Sequence, residues 1–125
     1  MDDKKLPGIA ADDIGKCAYG IFKRHGEFIG ETVGIAGEHL TGSQMATALT
    51  NALEEEVTYD PVSPEVYRRR RFKGAKELAN MFQFKRDFQN VFCRMRSVEL
   101  SRVLNPSLES FDQWLARDKS LLSGI

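Results

Sequence analysis

A helix-rich α/β fold is what this sequence predicts, on three observations. Segments with apolar residues at helical spacing alternate with short β-rich runs, the pattern of an α/β chain. One alternation, Gly30–Leu53, reads GETVGIAGEHLTGSQMATALTNAL: a β-rich run at Thr32–Ala36, a turn holding Gly37 and Gly42, then an amphipathic helix. The size is also right: 125 residues, 42% hydrophobic and 29% charged, make one globular domain with a real core, so residues 1–125 are read as a single domain.

The elements follow in chain order. Leu6–Ala11, an apolar run broken by Pro7 and Gly8, predicts one brief strand. Asp12 or Asp13 can then cap a helix, because a carboxylate there accepts orphan N–H groups at the positive dipole end. Ile14, Cys17, Ala18, Ile21 and Phe22 mark its single buried face, and Arg24, His25 and Gly26 supply a basic last turn and a stop. After the turn at Gly30 come the strand Thr32–Ala36 and a helix capped by Thr41 or Ser43, with Met45, Ala46, Leu49, Ala52 and Leu53 inward. The acidic triplet Glu54–Glu56 leads to a second short strand, Val57–Tyr59, closed by Pro61. Ser63-Pro64 starts a short helix, with serine as cap and proline at the first helical position, and that helix ends in Arg68–Arg71.

Gly74 opens a longer helical segment, Ala75–Val91, carrying two apolar stripes: Ala75, Leu78, Ala79 and Phe82, then Met81, Phe84, Phe88 and Phe92. A helix apolar on two sides is covered on both, or lines a pocket. Val98, Leu100, Val103 and Leu104 continue a helical or irregular run to Asn105-Pro106. Ser110 and Gln113 have capping-box spacing, which opens a last helix burying Phe111, Trp114 and Leu115.

Composition excludes several functions. With 18 basic and 18 acidic residues the chain has no net field to draw nucleic acid or membrane. No apolar run reaches transmembrane length, and the charged N-terminus MDDKKLPG has no apolar h-region. Cys17 and Cys93 stand far apart without metal-ligand spacing, so they read as free thiols of a reducing compartment. The expected location is cytoplasmic.

Two spacings invite a catalytic reading. A dinucleotide loop needs glycines whose missing side chains let phosphate approach the backbone, as G-x-G-x-x-G or G-x-x-G-x-x-G. Here they fall at Gly34, Gly37 and Gly42, Leu40 holds the third place of the longer pattern, and Glu38 would set a negative charge beside the phosphates. A structural strand-to-helix joint is the better reading. Tyr19 and Lys23 form Y-x-x-x-K, the acid–base spacing of short-chain reductases, but no catalytic serine context accompanies them. Tyr19 is expected to border the buried stripe with Lys23 solvated. The basic cluster Arg68–Arg71, Lys73 and Lys76 is read as a solvated face or as partner to Glu54–Glu56, with nuclear import or a phosphate contact as the functional alternatives. His25 and His39 read as surface turn residues, and nothing near Cys93 marks an activated thiol.

The segments LPGIAADDIGKCAYGIFK, IGETVGIAGEHLTGSQMATAL, VTYDPVSPEVYR, FKGAKELANMFQFKRDF and LNPSLESFDQWL together resemble the C-terminal part of NmrA-like proteins, atypical short-chain dehydrogenase/reductase relatives that sense NADP(H) or reduce small molecules. The resemblance runs in order from Leu6 to Lys119. It implies the C-terminal portion of an NAD(P)-binding Rossmann-like fold, with Met1 about halfway along the family's chain and the cofactor-binding N-terminal half without counterpart here. No catalytic or cofactor-binding residue is then expected in this chain, and no cofactor for it alone. The resemblance sets GAKELANMFQF beside the cleft where nicotinamide and ligand meet, which nominates Asn80, Met81 and Phe84 as pocket walls. A docking surface against the missing half accounts for the same residues equally well. The competing reading is a free-standing interaction module using the stripe of Met81, Phe84 and Phe88 for a protein partner.

Overall fold

A buried carboxylate sets the rotation of the first long helix, and much of the domain is arranged around it. The fold is described by a computed structural model covering residues 1–123. Helix α1 (Ala11–Lys23) buries Asp13, Cys17 and Gly20. Of the face expected from periodicity, Cys17 is buried and Ala18 and Ile21 are half-buried, but its two ends are turned outward: Ile14 is 49% exposed and Phe22 77%. Two contacts explain the difference. The Asp13 side chain is fully buried, with Oδ1 accepting from Asn105 Nδ2 and Oδ2 from the Glu109 N–H, both at 2.9 Å. At Gly20 the chain of Leu104 comes so close that an added Cβ would stand 2.1 Å from its carbonyl oxygen. Hydrogen bonds and backbone approach thus outweigh burial of one apolar face. Asp13 does not cap α1; the capping position is Ala10, with no side-chain bond.

Strand β1 (Leu6–Gly8) pairs antiparallel with β2 (Glu38–Leu40), Leu6 opposite Leu40 and Gly8 opposite Glu38. The strand expected at Thr32–Ala36 is absent except for a single parallel bridge, Ile35 to Ser97. That run passes instead against the helix that follows Ser97, where Ala36 N–H donates to Ser101 Oγ at 2.9 Å. Val57–Tyr59 is not a strand either. The Thr50 hydroxyl satisfies the backbone on its own, accepting from Val57 N–H at 2.9 Å and donating to Val57 O at 3.2 Å.

Locally coded ends form as read. Helix α2 (Gly42–Leu53) opens on a full capping box between Thr41 and Gln44. Helix α3 (Pro64–Arg68) has Ser63 as cap and Pro64 at the first position. Helix α4 (Ala75–Asp87) starts at Gly74, whose φ of 93° is natural only for glycine. The expected continuous helix to Val91 breaks at Phe88, and α5 (Gln89–Arg94) follows. Helices α6 (Val98–Leu104) and α7 (Phe111–Asp118) complete the order, the first capped by Ser97, the second by the Ser110–Gln113 box. Leu115 is buried as expected, while Phe111 and Trp114 are half-buried and stacked, centroids 6.1 Å apart.

The core is built largely from small residues: Cys17, Ala36, Ala46, Ala75 and Ala79 with Leu104, Leu108 and Leu115. Small side chains let backbones approach closely, so part of the cohesion is polar, supplied by Asp13, Ser101 and Asn105.

Candidate functional site

Helix α4 is where the sequence places the pocket wall, and its two flanks differ sharply. Toward α3 it is packed against aromatic side chains. Tyr67 meets Phe72 and Phe82 edge-on, centroids 6.0 and 6.2 Å away, and Ala75 and Ala79 are buried beneath. Arg68 ties the helices together, its Nε donating to Asn80 Oδ1 at 3.1 Å and its Nη2 to Gln83 Oε1, with Glu65 3.8 Å away as its ion pair. Arg68 therefore has partners other than Glu54–Glu56. A cleft of about 290 Å³ opens on this side, lined by Tyr59, Val62, Tyr67, Arg70, Phe82 and Arg86 among others. Arg70 stacks over Tyr67 at 5.4 Å, and Arg86 is held charged by its hydrogen bond to Asp87. Burial, then the charge of Asp2, pushes the Tyr59 hydroxyl above its ordinary range, so it enters as a neutral donor.

The other flank is bare. Met81 is 37% exposed, and Phe84 and Phe88 are each 54% exposed with their rings 4.9 Å apart. Val91 on α5 and Met95 just past it are exposed as well. Of the three residues nominated from sequence, Met81 and Phe84 lie on this open flank. Asn80 is exposed and bonded to Arg68. The α3–α4 cleft is instead lined from α4 by Ala79, Phe82, Gln83 and Arg86, a set sequence reasoning missed. The only signal for it was the first apolar stripe at Ala79 and Phe82.

The glycine turn is filled by protein. A Cβ on Gly34 would lie 1.8 Å from the Met95 carbonyl oxygen, on Gly37 3.0 Å from that of Glu109, and on Gly42 2.6 Å from the Tyr59 ring. Each missing side chain admits another part of the chain. The N-terminus of α2 is already occupied by Thr41, and Glu38 Oε2 accepts from Phe111 N–H at 2.8 Å, serving the start of α7. The turn is a joint, as its spacing indicated.

Tyr19 and Lys23 share a side of α1, but Lys23 Nζ lies 5.5 Å over the Tyr19 ring face, away from the geometry that would act on the hydroxyl. Tyr19 is 65% exposed and does not border a buried stripe. His39 is a half-buried strand residue whose Nε2 bonds to the Arg96 carbonyl at 2.7 Å, unlike the turn position expected; His25 does occupy an exposed turn. Both thiols are free, and burial pushes both above the ordinary cysteine value, helped at Cys17 by the Asp13 charge and opposed at Cys93 by Lys5 and Arg96. Neither is activated. Among the described residues no His, Cys, Asp and Glu cluster could hold a metal, and no helix is long and apolar enough to cross a membrane.

Comparison with known proteins bears on the family and the fold. The family model described as NmrA-like family matches residues 1–115. Among solved structures, that of NmrA, a negative transcriptional regulator, is similar over 98% of this chain at a TM-score of 0.73 and 19% identity. NmrA in complex with NAD is similar over the same share at 0.69 and 20% identity. In both cases the chain spans 42% of the length of the structure it matches.

Proposed function

The chain belongs to the NmrA-like family, and we propose that it supplies the ligand side of an NADP(H)-dependent sensor-regulator or small-molecule oxidoreductase. The observation that carries this reading is the open α4–α5 flank on a chain that spans 42% of an NAD-complexed relative. A contiguous apolar surface of this kind is ordinarily covered by a partner or a ligand. Here Met81, Phe84 and Phe88 face the nucleotide-binding half of an NmrA-like protein, and the nicotinamide end of the cofactor lies at that seam. Met81 and Phe84 form the apolar wall. Arg68 takes the Asn80 amide oxygen, which leaves the NH2 group as the end that a ligand can use.

Alone, this portion binds no dinucleotide tightly and transfers no hydride. Titrating NADPH with the chain and following nicotinamide fluorescence checks this. No saturable change is the expected result, and micromolar binding by the chain alone overturns the reading.

The exposed stripe also favours a second reading, a free-standing module that docks a protein partner on Met81, Phe84 and Phe88. Light scattering with an apolar-surface dye tests both. Dye binding and association are expected; a dye-silent monomer counts against docking of either kind.

A further inference from the structure

Another cavity lies away from the α4–α5 flank, between the paired strands β1 and β2, the start of α1 and the start of α7. Its volume of about 340 Å³ falls in the range of about 300–1,000 Å³ usual for small-molecule pockets. The walls are mostly apolar: Leu6, Ile9, Leu40, Met45 and the stacked rings of Phe111 and Trp114. The polar side chains among them are Glu38, Glu109 and Ser110, and no lysine, arginine or histidine of the described residues lines the cavity.

Glu109 is held in place by Asp13, whose Oδ2 accepts from the Glu109 N–H at 2.9 Å. Its Oε1 accepts from Arg117 at 2.7 Å, while its Oε2 is buried with no hydrogen-bond partner among the described residues. A buried carboxylate oxygen without a donor is costly, so it calls for one. The terminal torsion of glutamate is soft, and a small rotation presents that oxygen to a ligand.

The balance of charge selects the donor. Arg117 is shared among three carboxylates, 2.7 Å from Glu109, 2.7 Å from Asp118 and 3.6 Å from Asp12. Glu38 enters no ion pair among the described residues, its Oε2 accepting from the Phe111 N–H at 2.8 Å. One guanidinium against four carboxylates leaves negative charge beside an apolar cavity. A primary ammonium answers that charge and supplies N–H donors, which a quaternary nitrogen cannot. Aromatic walls add attraction for a cation.

We propose that this cavity binds a small apolar molecule carrying a primary ammonium. Glu109 anchors the charge, and Phe111 and Trp114 face the apolar body. None of the walls belongs to α3, α4 or α5, so the proposal stands independently of the nicotinamide reading.

Trp114 is the only tryptophan of the chain, so its fluorescence reports on the cavity directly. Titration with phenethylamine tests the site, with phenethyl alcohol as the neutral and hydrocinnamate as the anionic counterpart. A saturable change is expected with the amine, about tenfold or more weaker with the alcohol, and absent with hydrocinnamate. Glu109→Gln should weaken the amine about tenfold or more and leave the alcohol within about twofold. That split separates a lost charge contact from a damaged cavity, which weakens both. Ala10→Leu, which fills the cavity, should weaken both ligands, and Glu77→Gln, on the exposed surface of α4, neither. Should Ala10→Leu fail to fold, the Glu109→Gln split carries the comparison. The site is overturned by the absence of a saturable change, by alcohol or hydrocinnamate binding as tightly as the amine, or by undiminished binding in a folded Ala10→Leu. A Glu109→Gln variant that keeps its amine affinity, or loses both ligands alike, overturns it too.

Discussion

The side of the molecule where α1 meets α6 and the α7 start is held by buried polar groups and close backbones, whereas the α4–α5 flank exposes large apolar side chains. On the first side Asp13 joins Asn105 and the Glu109 N–H, Ser101 serves Ala36, and Gly20 admits Leu104. On the second, Phe84 and Phe88 touch each other and little else covers them. The contrast separates two jobs. Directional bonds specify one packing of helices against loops, while non-directional apolar surface waits for whatever removes it from water. A stability defect should follow from damage to the first side, and a change in association from damage to the second.

The sharpest way to break the contrast is Asp13→Ala. It leaves the buried Asn105 amide and the half-buried Glu109 N–H without their acceptor, and a loss of roughly 3 kcal/mol is expected in urea unfolding. Asp13→Asn keeps an acceptor oxygen and should lose less; equal losses would mean that hydrogen bonding is not what fixes α1. Next comes Gly20→Ala. An added methyl meets backbone at 2.1 Å, which only a shift of α1 from α6 can relieve, so about 1–3 kcal/mol should be lost on the same assay. Thr41→Ala removes a capping-box partner and is expected to lower stability by about 1 kcal/mol.

The smallest effect on stability belongs to the other side. Phe84→Ser with Phe88→Ser should move the unfolding free energy by no more than about 0.5 kcal/mol each, because both rings are already half in water. Dye binding and light-scattering mass should nevertheless fall clearly. A large loss of stability there would show that the flank is part of the core and not a docking surface.

Sequence reading was most successful where the code is local. The boxes at Thr41–Gln44 and Ser110–Gln113, and the Ser63-Pro64 start, each need only side chain and backbone three residues apart. The glycine turn was also legible as a joint, since its spacing failed the phosphate requirement before the packed neighbours were visible. What failed was long-range. The apolar period of α1 pointed to Ile14 and Phe22, but the partner that fixes its rotation sits 92 residues away at Asn105. The β-rich Thr32–Ala36 run had no strand to pair with, and β2 formed at Glu38–Leu40 opposite β1.

The sequence by itself determined the capped starts of α2, α3 and α7, the helix-rich class and the glycine turn as a joint, because those depend on neighbours within one or two turns. Only the tertiary structure decided which face of α1 is buried, which strands pair and which flank of α4 stays open. Those outcomes turn on contacts between distant residues, where one buried carboxylate or one close carbonyl outweighs a whole apolar stripe.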